Sequence, residues 1–311
     1  MKILLTGSQG QVGWELARSL LPLGELICAN RSQADLSDLD ALRAFIQLHE
    51  PDVIVNAAAY TAVDKAESES NTAFLINAKA PEVLAKEAKK TGALLIHYST
   101  DYVFDGTKIN PYTEEDATNP INVYGQSKLA GEKAIQAADP DHLILRTSWV
   151  YASRGQNFLK TILRLAAERE QLNIVADQIG TPTWARLIAE TTAHVIKQSI
   201  SERCQGQFKP AVYNLSSVGT TTWYDFATLI VNLARQQTNY GIKNRLINPI
   251  PATDYPLPAK RPANSKLQCH RLEQHYGLRM PAWENSKHKD QHAAGSGTRP
   301  RPRSGVPNGS P

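Results

Sequence analysis

The chain has 311 residues, of which 41% are hydrophobic and 21% are charged, and it contains three cysteines. A chain of this length buries a large core without staples, and so few cysteines exclude a disulfide scaffold or a cysteine-rich zinc site. No apolar run approaches the ~20 residues of a membrane span, and the N-terminus, MKILLTGSQG, turns polar too early for a secretory signal. The net charge of +4 comes from residues 285–311, whereas residues 1–284 carry equal numbers of basic and acidic side chains. We therefore expect a cytoplasmic globular protein that binds neither membranes nor nucleic acid.

Short apolar segments alternate with helical patterns over the first 150 residues. The predicted strands are 2–5, 25–29, 53–55, 94–97 and 143–146, and the predicted helices are 11–21, 38–48, 73–91 and 126–138. The strands are apolar throughout, as expected when helices cover both faces of a sheet. The pattern predicts an α/β fold built on a Rossmann-like doubly wound parallel sheet.

The alternation of predicted strands and helices becomes less regular after residue 150. Further helices are predicted at 156–170, 185–199 and 222–236, with a strand at 212–215 and irregular structure over the proline-rich residues 247–266. Residues 285–311 are basic and hold few aliphatic side chains. Such a segment buries too little apolar area to offset its ordering entropy, so it predicts a disordered tail.

A glycine-rich turn follows the first predicted strand and opens the first helix. Gly7, Gly10 and Gly13 have the spacing G-x-x-G-x-x-G. A dinucleotide site needs a tight turn, a backbone that a pyrophosphate can approach, and close helix–strand packing, and glycine meets each need because it lacks Cβ. The pyrophosphate then lies at the positive end of the helix. The alternative is an ordinary strand–helix turn with incidental glycines.

The residues after the second strand bear on the choice of cofactor. Asn30 and Arg31 stand where an acid would bind the ribose hydroxyls of NAD. An arginine favours the additional phosphate of NADP, so the sequence favours NADPH, with NADH as the alternative. Arg31 also fits a solvated surface charge. Asp35 and Leu36 are placed to contact the adenine, although Asp35 equally fits a helix cap.

Small residues follow the third strand, in the segment NAAAYT at 56–61. Alanines at the carboxyl edge of a parallel sheet allow a flat cofactor to lie close to the backbone. A packing site for small side chains is the alternative.

Tyr124 and Lys128 form a Y-x-x-x-K pair at the start of a helical segment, and the i, i+4 spacing places both on one face. Reduction of a carbonyl by hydride needs an acid, and the tyrosine pKa of about 10 is too high unless a nearby ammonium lowers it. Thr100 lies at the end of the fourth strand, at the edge where ligands of doubly wound folds bind. Y-x-x-x-K alone is common on helices, so the prediction depends on all three residues.

Longer motifs resemble the extended short-chain dehydrogenase/reductases and, within them, the dTDP-4-dehydrorhamnose reductase family. The motifs are LLTGSQGQVGWEL (4–16), PDVIVNAAAYTAVDKAE (51–67), HYSTDYVFDG (97–106), NVYGQSKLAGE (122–132), LRTSWVYA (145–152), DQIGTPT (177–183) and KRPANSKL (260–267). The resemblance covers residues 1–284 and implies NAD(P)H-dependent reduction of the C4 ketone of dTDP-4-dehydro-L-rhamnose to dTDP-L-rhamnose. It also implies a dinucleotide-binding domain over 1–150, completed by parts of 172–236, with 151–284 forming mainly a smaller sugar-nucleotide domain.

The resemblance further implies roles for individual residues. Tyr124 would donate the proton, Lys128 would tune it, and Thr100 would orient the carbonyl. The implied cofactor contacts are Gly7, Gly10, Gln11, Val12, Gly13, Asn30, Arg31, Asp35, Leu36, Ala58, Ala59, Tyr60, Thr61, Tyr98, Tyr124 and Lys128. The implied substrate contacts are Thr100, Asp101, Tyr102, Trp149 and Arg261.

Two of these assignments, those of Trp149 and Arg261, have structural alternatives, and two further acidic residues need an interpretation. Trp149 would offer an apolar face and an N–H donor to the sugar, but it also fits a core tryptophan. Arg261 would meet the substrate diphosphate, but it also fits a surface ion pair. Asp64 and Glu67 look catalytic by charge alone, and we interpret them as a solvated helix start.

The chain departs from the family at a metal site. Some members form a magnesium-linked dimer that uses three carboxylates in each subunit. Glu15 matches the first, Arg186 stands at the second, and residues 285–311 replace the C-terminal helix that would carry the third. We therefore expect no metal site in this chain, no magnesium-linked dimer, and a monomer or weak homodimer.

Three other functions compete with this prediction. An epimerase or dehydratase of the same superfamily is one, although a dehydratase places further acids beside the threonine, where this chain has only Asp101. A regulatory protein resembling the regulatory subunit of methionine adenosyltransferase is another, and cofactor oxidation without a partner would separate it from an enzyme. Nucleic-acid binding by the tail is disfavoured because its arginines alternate with prolines and lack aromatic neighbours.

Overall fold

The computed structural model describes residues 1–237 and 240–286. Its strands are β1 (Lys2–Thr6), β2 (Glu25–Ala29), β3 (Val53–Asn56), β4 (Leu94–Thr100), β5 (His142–Thr147), β6 (Val150–Tyr151), β7 (Gln171–Val175), β8 (Ile179–Gly180), β9 (Thr183–Trp184), β10 (Ala211–Asn214), β11 (Thr221–Thr222) and β12 (Leu246–Ile250). Its α-helices are α1 (Gln11–Ser19), α2 (Leu39–His49), α3 (Val63–Ala66), α4 (Ser70–Phe74), α5 (Ala80–Thr91), α6 (Val123–Ala138), α7 (Phe158–Glu168), α8 (Ala185–Cys204), α9 (Trp223–Arg235) and α10 (His270–Tyr276).

Six parallel strands form the central sheet, in the order β2-β1-β3-β4-β5-β10. The chain runs from β1 outward to β2 and then returns past β1 to β3, so the order reverses between β1 and β3. Ligands of doubly wound folds bind at this reversal, at the carboxyl ends of the strands. The prediction of a doubly wound parallel sheet is confirmed.

Helices cover both faces of this sheet, which explains why its strands are apolar throughout. Helices α1, α8 and α10 pack on one face, where Leu5 and Leu145 meet Leu16, Ile188 and Leu272. Helices α2, α5 and α6 pack on the other. There the buried side chains include Leu4, Ile54, Leu95, Leu42, Leu84 and Ile135. Burial of each such side chain stabilises the fold by about 1.5–3 kcal/mol relative to leaving it exposed.

A second apolar cluster lies between α7, α9 and the parallel pair β7 and β12. The prediction of irregular structure over 247–266 is wrong at its start, because residues 246–250 pair in register with residues 171–175. Pro249 lies within β12. A proline is tolerated there because a two-stranded sheet consists of edge strands.

Several predicted helices have different boundaries in the structure; α6, for example, begins at Val123 and α8 ends at Cys204. The helix predicted over 73–91 is divided into α4, a π-helical segment over Leu75–Lys79, and α5. The second helix is capped by Asp38, whose carboxylate accepts a hydrogen bond from the Ala41 N–H at 3.0 Å. Asp35 is therefore not the cap, and its carboxylate accepts hydrogen bonds from Ser37 instead.

The predicted disordered tail lies outside the described residues apart from 285 and 286, which belong to a short 3-10 helix. None of the described helices is long and apolar enough to cross a membrane.

Candidate active site

The glycine turn lies against the carboxyl end of β3. Gly7 has φ of 68°, and a Cβ there would lie 2.6 Å from the Ala58 nitrogen. A Cβ at Gly13 would lie 2.0 Å from the Gly7 carbonyl oxygen. Gly10 caps α1 with no side-chain hydrogen bond, and the first turn of α1 holds no acidic residue. The turn therefore presents backbone N–H groups and a positive helix end with no competing carboxylate, which fits a pyrophosphate.

Gln11 and Val12 are the first two residues of α1 and lie beside this turn. The side-chain oxygen of Gln11, Oε1, accepts a hydrogen bond from the side-chain amide of Asn157 at 2.8 Å. Asn157 caps α7, and its side chain also donates to the Ala152 carbonyl. A hydrogen bond thus links the first residue of α1, next to the glycine turn, to the second half of the chain.

The residues after β2 form a small exposed cluster. Asn30 Oδ1 accepts hydrogen bonds from the backbone and hydroxyl of Ser32. Arg31 pairs with Asp35 at 3.2 Å, and the Arg31 side chain is 81% exposed. Hydrogen bonds from Ser37, with a smaller contribution from Arg31, hold the pKa of Asp35 below its usual value. Because an exposed pair contributes little, Arg31 can exchange Asp35 for a ligand phosphate at small cost. Leu36 is buried nearby.

The segment after β3 is held by Asn77, a residue that the sequence analysis missed. Asn77 Oδ1 accepts from the Tyr60 N–H, and its amide donates to the Tyr60 carbonyl and to the Ser127 hydroxyl on α6. Asn77 lies in the π-helical segment, and a Cβ at Gly131 of α6 would lie 2.1 Å from its carbonyl oxygen. These contacts fix the segment of Ala58, Ala59, Tyr60 and Thr61 against α6.

Thr100 and Tyr124 meet at the carboxyl edge of the sheet. Thr100 ends β4, and Tyr124 lies in the first turn of α6, which Asn122 caps through the Gly125 N–H. Burial raises the pKa of Tyr124 to about 12, while a hydrogen bond with Thr100 acts in the opposite direction. The expectation that the Tyr124 pKa lies below its ordinary value is therefore not met in the chain without ligand.

Lys128 is buried one helical turn after Tyr124, with 2% of its surface exposed. Its Nζ donates to the Tyr98 carbonyl at 2.6 Å and lies 3.3 Å from His97 Nε2. Burial lowers the pKa of Lys128 to about 8, against the attraction of Glu132. The Tyr98 phenol points to the other face of the sheet, where it bonds the Thr192 hydroxyl at 2.7 Å. Only the backbone of Tyr98 therefore meets Lys128.

Acidic and aromatic residues surround the same edge. Asp101 is buried and accepts from the Thr100 hydroxyl at 3.0 Å, and burial raises the pKa of its carboxyl to about 6. The rings of Tyr102 and Tyr124 meet edge to face, with centroids 5.5 Å apart. The Arg261 guanidinium lies 6.0 Å from the centre of the Tyr102 ring.

Asp64 lies in the first turn of α3 and Glu67 is exposed just after this helix, as the interpretation of a solvated helix start predicts, but both acids also make specific contacts. Asp64 pairs with Arg261 at 2.8 Å, so this carboxylate holds the arginine that the sequence placed near a diphosphate. Glu67 accepts a hydrogen bond from the Val123 N–H at 2.9 Å, at the first residue of α6. Both acids thus position elements of the site.

Trp149 follows β5 and has a left-handed backbone, with φ of 46°. Its ring stacks on Trp223, with centroids 3.4 Å apart and planes 7° apart. A Cβ on Gly180 would lie 2.3 Å from Trp149 Cε2 and slightly farther from both neighbouring ring atoms, so Gly180 lies over the second face of the ring. Trp223 was missed because it opens a helix, and nothing in its sequence context indicates a stacked partner.

The residues matched to the family's metal site do not assemble a carboxylate set. Burial raises the pKa of Glu15, and Arg18 opposes this shift. Arg186 pairs with Glu190 at 2.7 Å. Within residues 1–237 and 240–286, no three His, Cys, Asp or Glu side chains are grouped as metal ligands. The expectation of a chain without metal stays a prediction, since the third position falls beyond this part of the chain.

The comparisons with known proteins agree with this geometry. The family model described as RmlD substrate binding domain matches residues 1–290. A dTDP-4-dehydrorhamnose reductase of Burkholderia thailandensis is 51% identical over 284 residues, covering 91% of this chain and 95% of that protein.

Two solved structures of the same kind of enzyme superpose on the chain. A dTDP-4-dehydrorhamnose reductase of Clostridium acetobutylicum gives a TM-score of 0.84 at 36% identity, over 94% of this chain and 99% of that one. The Bacillus anthracis dTDP-4-dehydrorhamnose reductase, solved in complex with NADP, gives a TM-score of 0.83 at 32% identity with the same coverage. The resemblance found in the sequence is confirmed, and the chain belongs to the RmlD substrate binding domain family.

Proposed function

We propose that this protein reduces the C4 ketone of dTDP-4-dehydro-L-rhamnose to dTDP-L-rhamnose with NADPH, and that NADH is the alternative cofactor. The observation that carries the proposal is the meeting of Thr100, Tyr124 and Lys128 at the carboxyl edge of the sheet, beside the turn of Gly7 and Gly10. Relatives that share half of their residues with this chain bear the name of this reductase.

The chain offers a continuous surface for the cofactor. The turn at Gly7, Gly10 and Gly13, with Gln11 and Val12, would hold the pyrophosphate, and a Cβ at Gly7 or Gly13 would collide with the backbone that gives this turn its shape. The adenosine end would meet Asn30, Arg31, Asp35 and Leu36, and the 2′-phosphate would take the guanidinium of Arg31. Residues 58–61 and the backbone of Tyr98 would line the path to Lys128 and Tyr124. Bound NADPH supplies the hydride.

Tyr124 supplies the proton to the substrate oxygen. Its pKa of about 12 keeps the phenol protonated at neutral pH, so the phenol has a proton to donate, but a positive charge on Lys128 must stabilise the phenolate for that proton to leave efficiently. The Thr100 hydroxyl orients the carbonyl and hydrogen-bonds the phenol. Lys128, whose pKa burial lowers to about 8, would stabilise the phenolate that forms when its amine carries a proton.

The sugar nucleotide would lie between this edge and the second half of the chain. Trp223 and Gly180 cover the two faces of the Trp149 ring, so Trp149 would meet the deoxysugar through the edge of its indole, while Asp101 and Tyr102 would line the pocket beside Tyr124. Arg261 would hold the diphosphate, in exchange for or in addition to its ion pair with Asp64. We assign residues 1–150, with parts of 172–236, to cofactor binding and residues 151–284 mainly to the sugar nucleotide. The extension of the central sheet by β10 and the packing of α8 on α1 support this division.

We further propose a cytoplasmic enzyme that acts as a monomer or weak homodimer without magnesium, nucleic acid or membrane partners. The charge balance of residues 1–284 and the Arg186–Glu190 pair support this.

The test is the loss of absorbance at 340 nm with purified protein, NADPH and dTDP-4-dehydro-L-rhamnose generated in situ. We expect oxidation that depends on the sugar nucleotide and falls by about 10²–10⁴ in Tyr124→Phe. Tyr255→Phe is the matched control, because this phenol is exposed and Tyr255 is not among the residues proposed to contact the cofactor or the substrate. Oxidation that Tyr124→Phe leaves unchanged would remove Tyr124 from the mechanism. Cofactor binding without oxidation would favour the regulatory alternative.

A further inference from the structure

A chain of buried polar side chains crosses the sheet and ends at Lys128. Thr6, Asn56 and His97 are direct cross-strand partners on β1, β3 and β4, so their side chains stand side by side on one face. The Thr6 hydroxyl donates to Asn56 Oδ1 at 2.7 Å, the Asn56 amide lies 3.0 Å from His97 Nδ1, and His97 Nε2 lies 3.3 Å from Lys128 Nζ. All four residues are at most 2% exposed.

The backbone N–H of Ala58 determines which groups donate and which accept in this row of hydrogen bonds. The Ala58 N–H donates to Asn56 Oδ1 at 3.3 Å, and a backbone amide can only donate. The oxygen of Asn56 therefore faces Ala58 and Thr6, and its amide nitrogen faces His97. Since this nitrogen donates, His97 Nδ1 accepts, and a neutral imidazole then carries its proton on Nε2.

This tautomer has a consequence for Lys128. The Nε2–H of His97 points at Lys128 Nζ, and an ammonium has no lone pair to accept it. An uncharged amine accepts this proton and still donates to the Tyr98 carbonyl, so the contacts are consistent when Lys128 is neutral. His97 itself stays neutral, because burial, with further contributions from Lys128 and His142, holds its pKa well below the usual value.

The other charged groups around Lys128 do not reverse this preference. Glu132, one turn further along α6, attracts the ammonium. However, both Glu132 oxygens are bound by Arg146 of β5, at 2.9 and 2.6 Å. Its charge is thus largely compensated by a buried guanidinium. Asn77 approaches α6 from the π-helical side and donates to Ser127 of α6, and both side chains are uncharged.

We propose that His97 is a positioning residue for Lys128: its Nε2–H, fixed through Asn56, favours the neutral amine and so sets the pH at which Lys128 gains its charge. The proposal rests on the proposed function only in that Lys128 assists Tyr124. In this proposal Asn56 influences the protonation of Lys128 through the tautomer of His97, without touching Lys128.

The variant Asn56→Asp tests the proposed donor and acceptor roles of the two His97 nitrogens, because aspartate and asparagine have almost the same shape. A carboxylate accepts from Ala58 and Thr6 as before, but it also requires a proton from His97 Nδ1, and Nε2 then becomes an acceptor for the ammonium. We expect the half-titration point of Lys128 to rise from about 8 toward its ordinary value near 10.5. Thr6→Val is the matched control. It removes one donor to Asn56 Oδ1 but leaves the Ala58 N–H, so the tautomer and the Lys128 titration should not change.

The primary readout is the imidazole tautomer in the ligand-free chain, from long-range ¹H–¹⁵N NMR with His97 assigned by its loss in His97→Gln. Lysine ¹³Cε shifts, with Lys128 assigned by Lys128→Arg, follow the titration. We expect an Nε2–H tautomer in the wild type and an Nδ1–H tautomer in Asn56→Asp, and the limb of the kcat/KM profile set by Lys128 should shift upward. An Nδ1–H tautomer in the wild type overturns the proposal even where Asn56→Asp fails to fold. Because this readout needs no turnover, absence of NADPH oxidation would count against the proposed function alone.

Discussion

Replacing Gly180 with alanine should impair binding of the sugar nucleotide without affecting the cofactor. The Trp149 ring lies between Gly180 on one face and Trp223 on the other. The new methyl carbon would lie 2.3 Å from Trp149 Cε2. Carbon atoms in contact need about 3.5 Å, so the ring must retreat by roughly 1 Å. Trp223 blocks that retreat, because it already stacks on the opposite face.

The magnitude follows from overpacking. Inserting one methyl group into a filled site costs about 1–3 kcal/mol, and disrupting the Trp149–Trp223 stack adds about 0.5–1.5 kcal/mol. If Trp149 contacts the sugar only in its present position, the combined cost of about 1.5–4.5 kcal/mol lowers kcat/KM for the sugar nucleotide by roughly tenfold to two-thousandfold, at about 1.36 kcal/mol for each factor of ten.

The assay is steady-state kinetics at saturating NADPH, with NADPH affinity measured separately by fluorescence. In the double variant Gly180→Ala/Trp223→Ala the ring has room to move, so the two losses should combine to less than their sum. Unchanged sugar-nucleotide kinetics in Gly180→Ala, or strictly additive losses, would refute the argument that Trp149 is confined between these residues.

Three further predictions concern the cofactor, the pH dependence of stability and the core. Arg31→Ala should raise KM for NADPH several-fold more than KM for NADH, because only NADPH carries the phosphate; equal effects on both cofactors would contradict this assignment. Burial raises the pKa of Asp101 from 3.8 to about 6, so the folded chain binds this proton more tightly than the unfolded chain does. The free energy of unfolding should therefore fall as pH rises from about 4 to about 6, and denaturant titrations should show a smaller fall in Asp101→Asn; an identical fall in both proteins would show that another group is responsible. Glu132→Gln leaves Arg146 buried without its counter-ion and should cost about 3–5 kcal/mol of stability. The control Glu168→Gln, at an exposed pair, should cost about 1 kcal/mol or less, and thermal denaturation of the two variants compares them directly.

The central sheet was predictable because its strands are buried on both faces. Segments such as Val53–Val55 are continuously apolar, and this signal is strong and local. The pair β7 and β12 was missed because both strands are partly exposed and one contains Pro249. Its stability depends on packing against α7 and α9, which local sequence does not show.

The site was predictable where its residues follow the ends of strands. Tyr124 and Lys128 were recognised by their Y-x-x-x-K spacing and Thr100 by its position at the end of a predicted strand. The fold brings the three residues together at one edge of the sheet. The pair of Arg261 with Asp64 was not predictable in this way, since 197 residues separate its members. The stack of Trp149 on Trp223 likewise depends on how two distant segments pack.

The hydrogen bonds of Asn77 have a mechanical consequence. They join the backbone of Tyr60 to Ser127 on α6, and the absence of a side chain at Gly131 lets that helix rest directly on the π-helical turn. Residues 58–61 and α6 are therefore joined directly, through the side chain of Asn77 and through backbone contact at Gly131. A displacement of residues 58–61 would therefore be transmitted directly to α6, the helix that bears Tyr124.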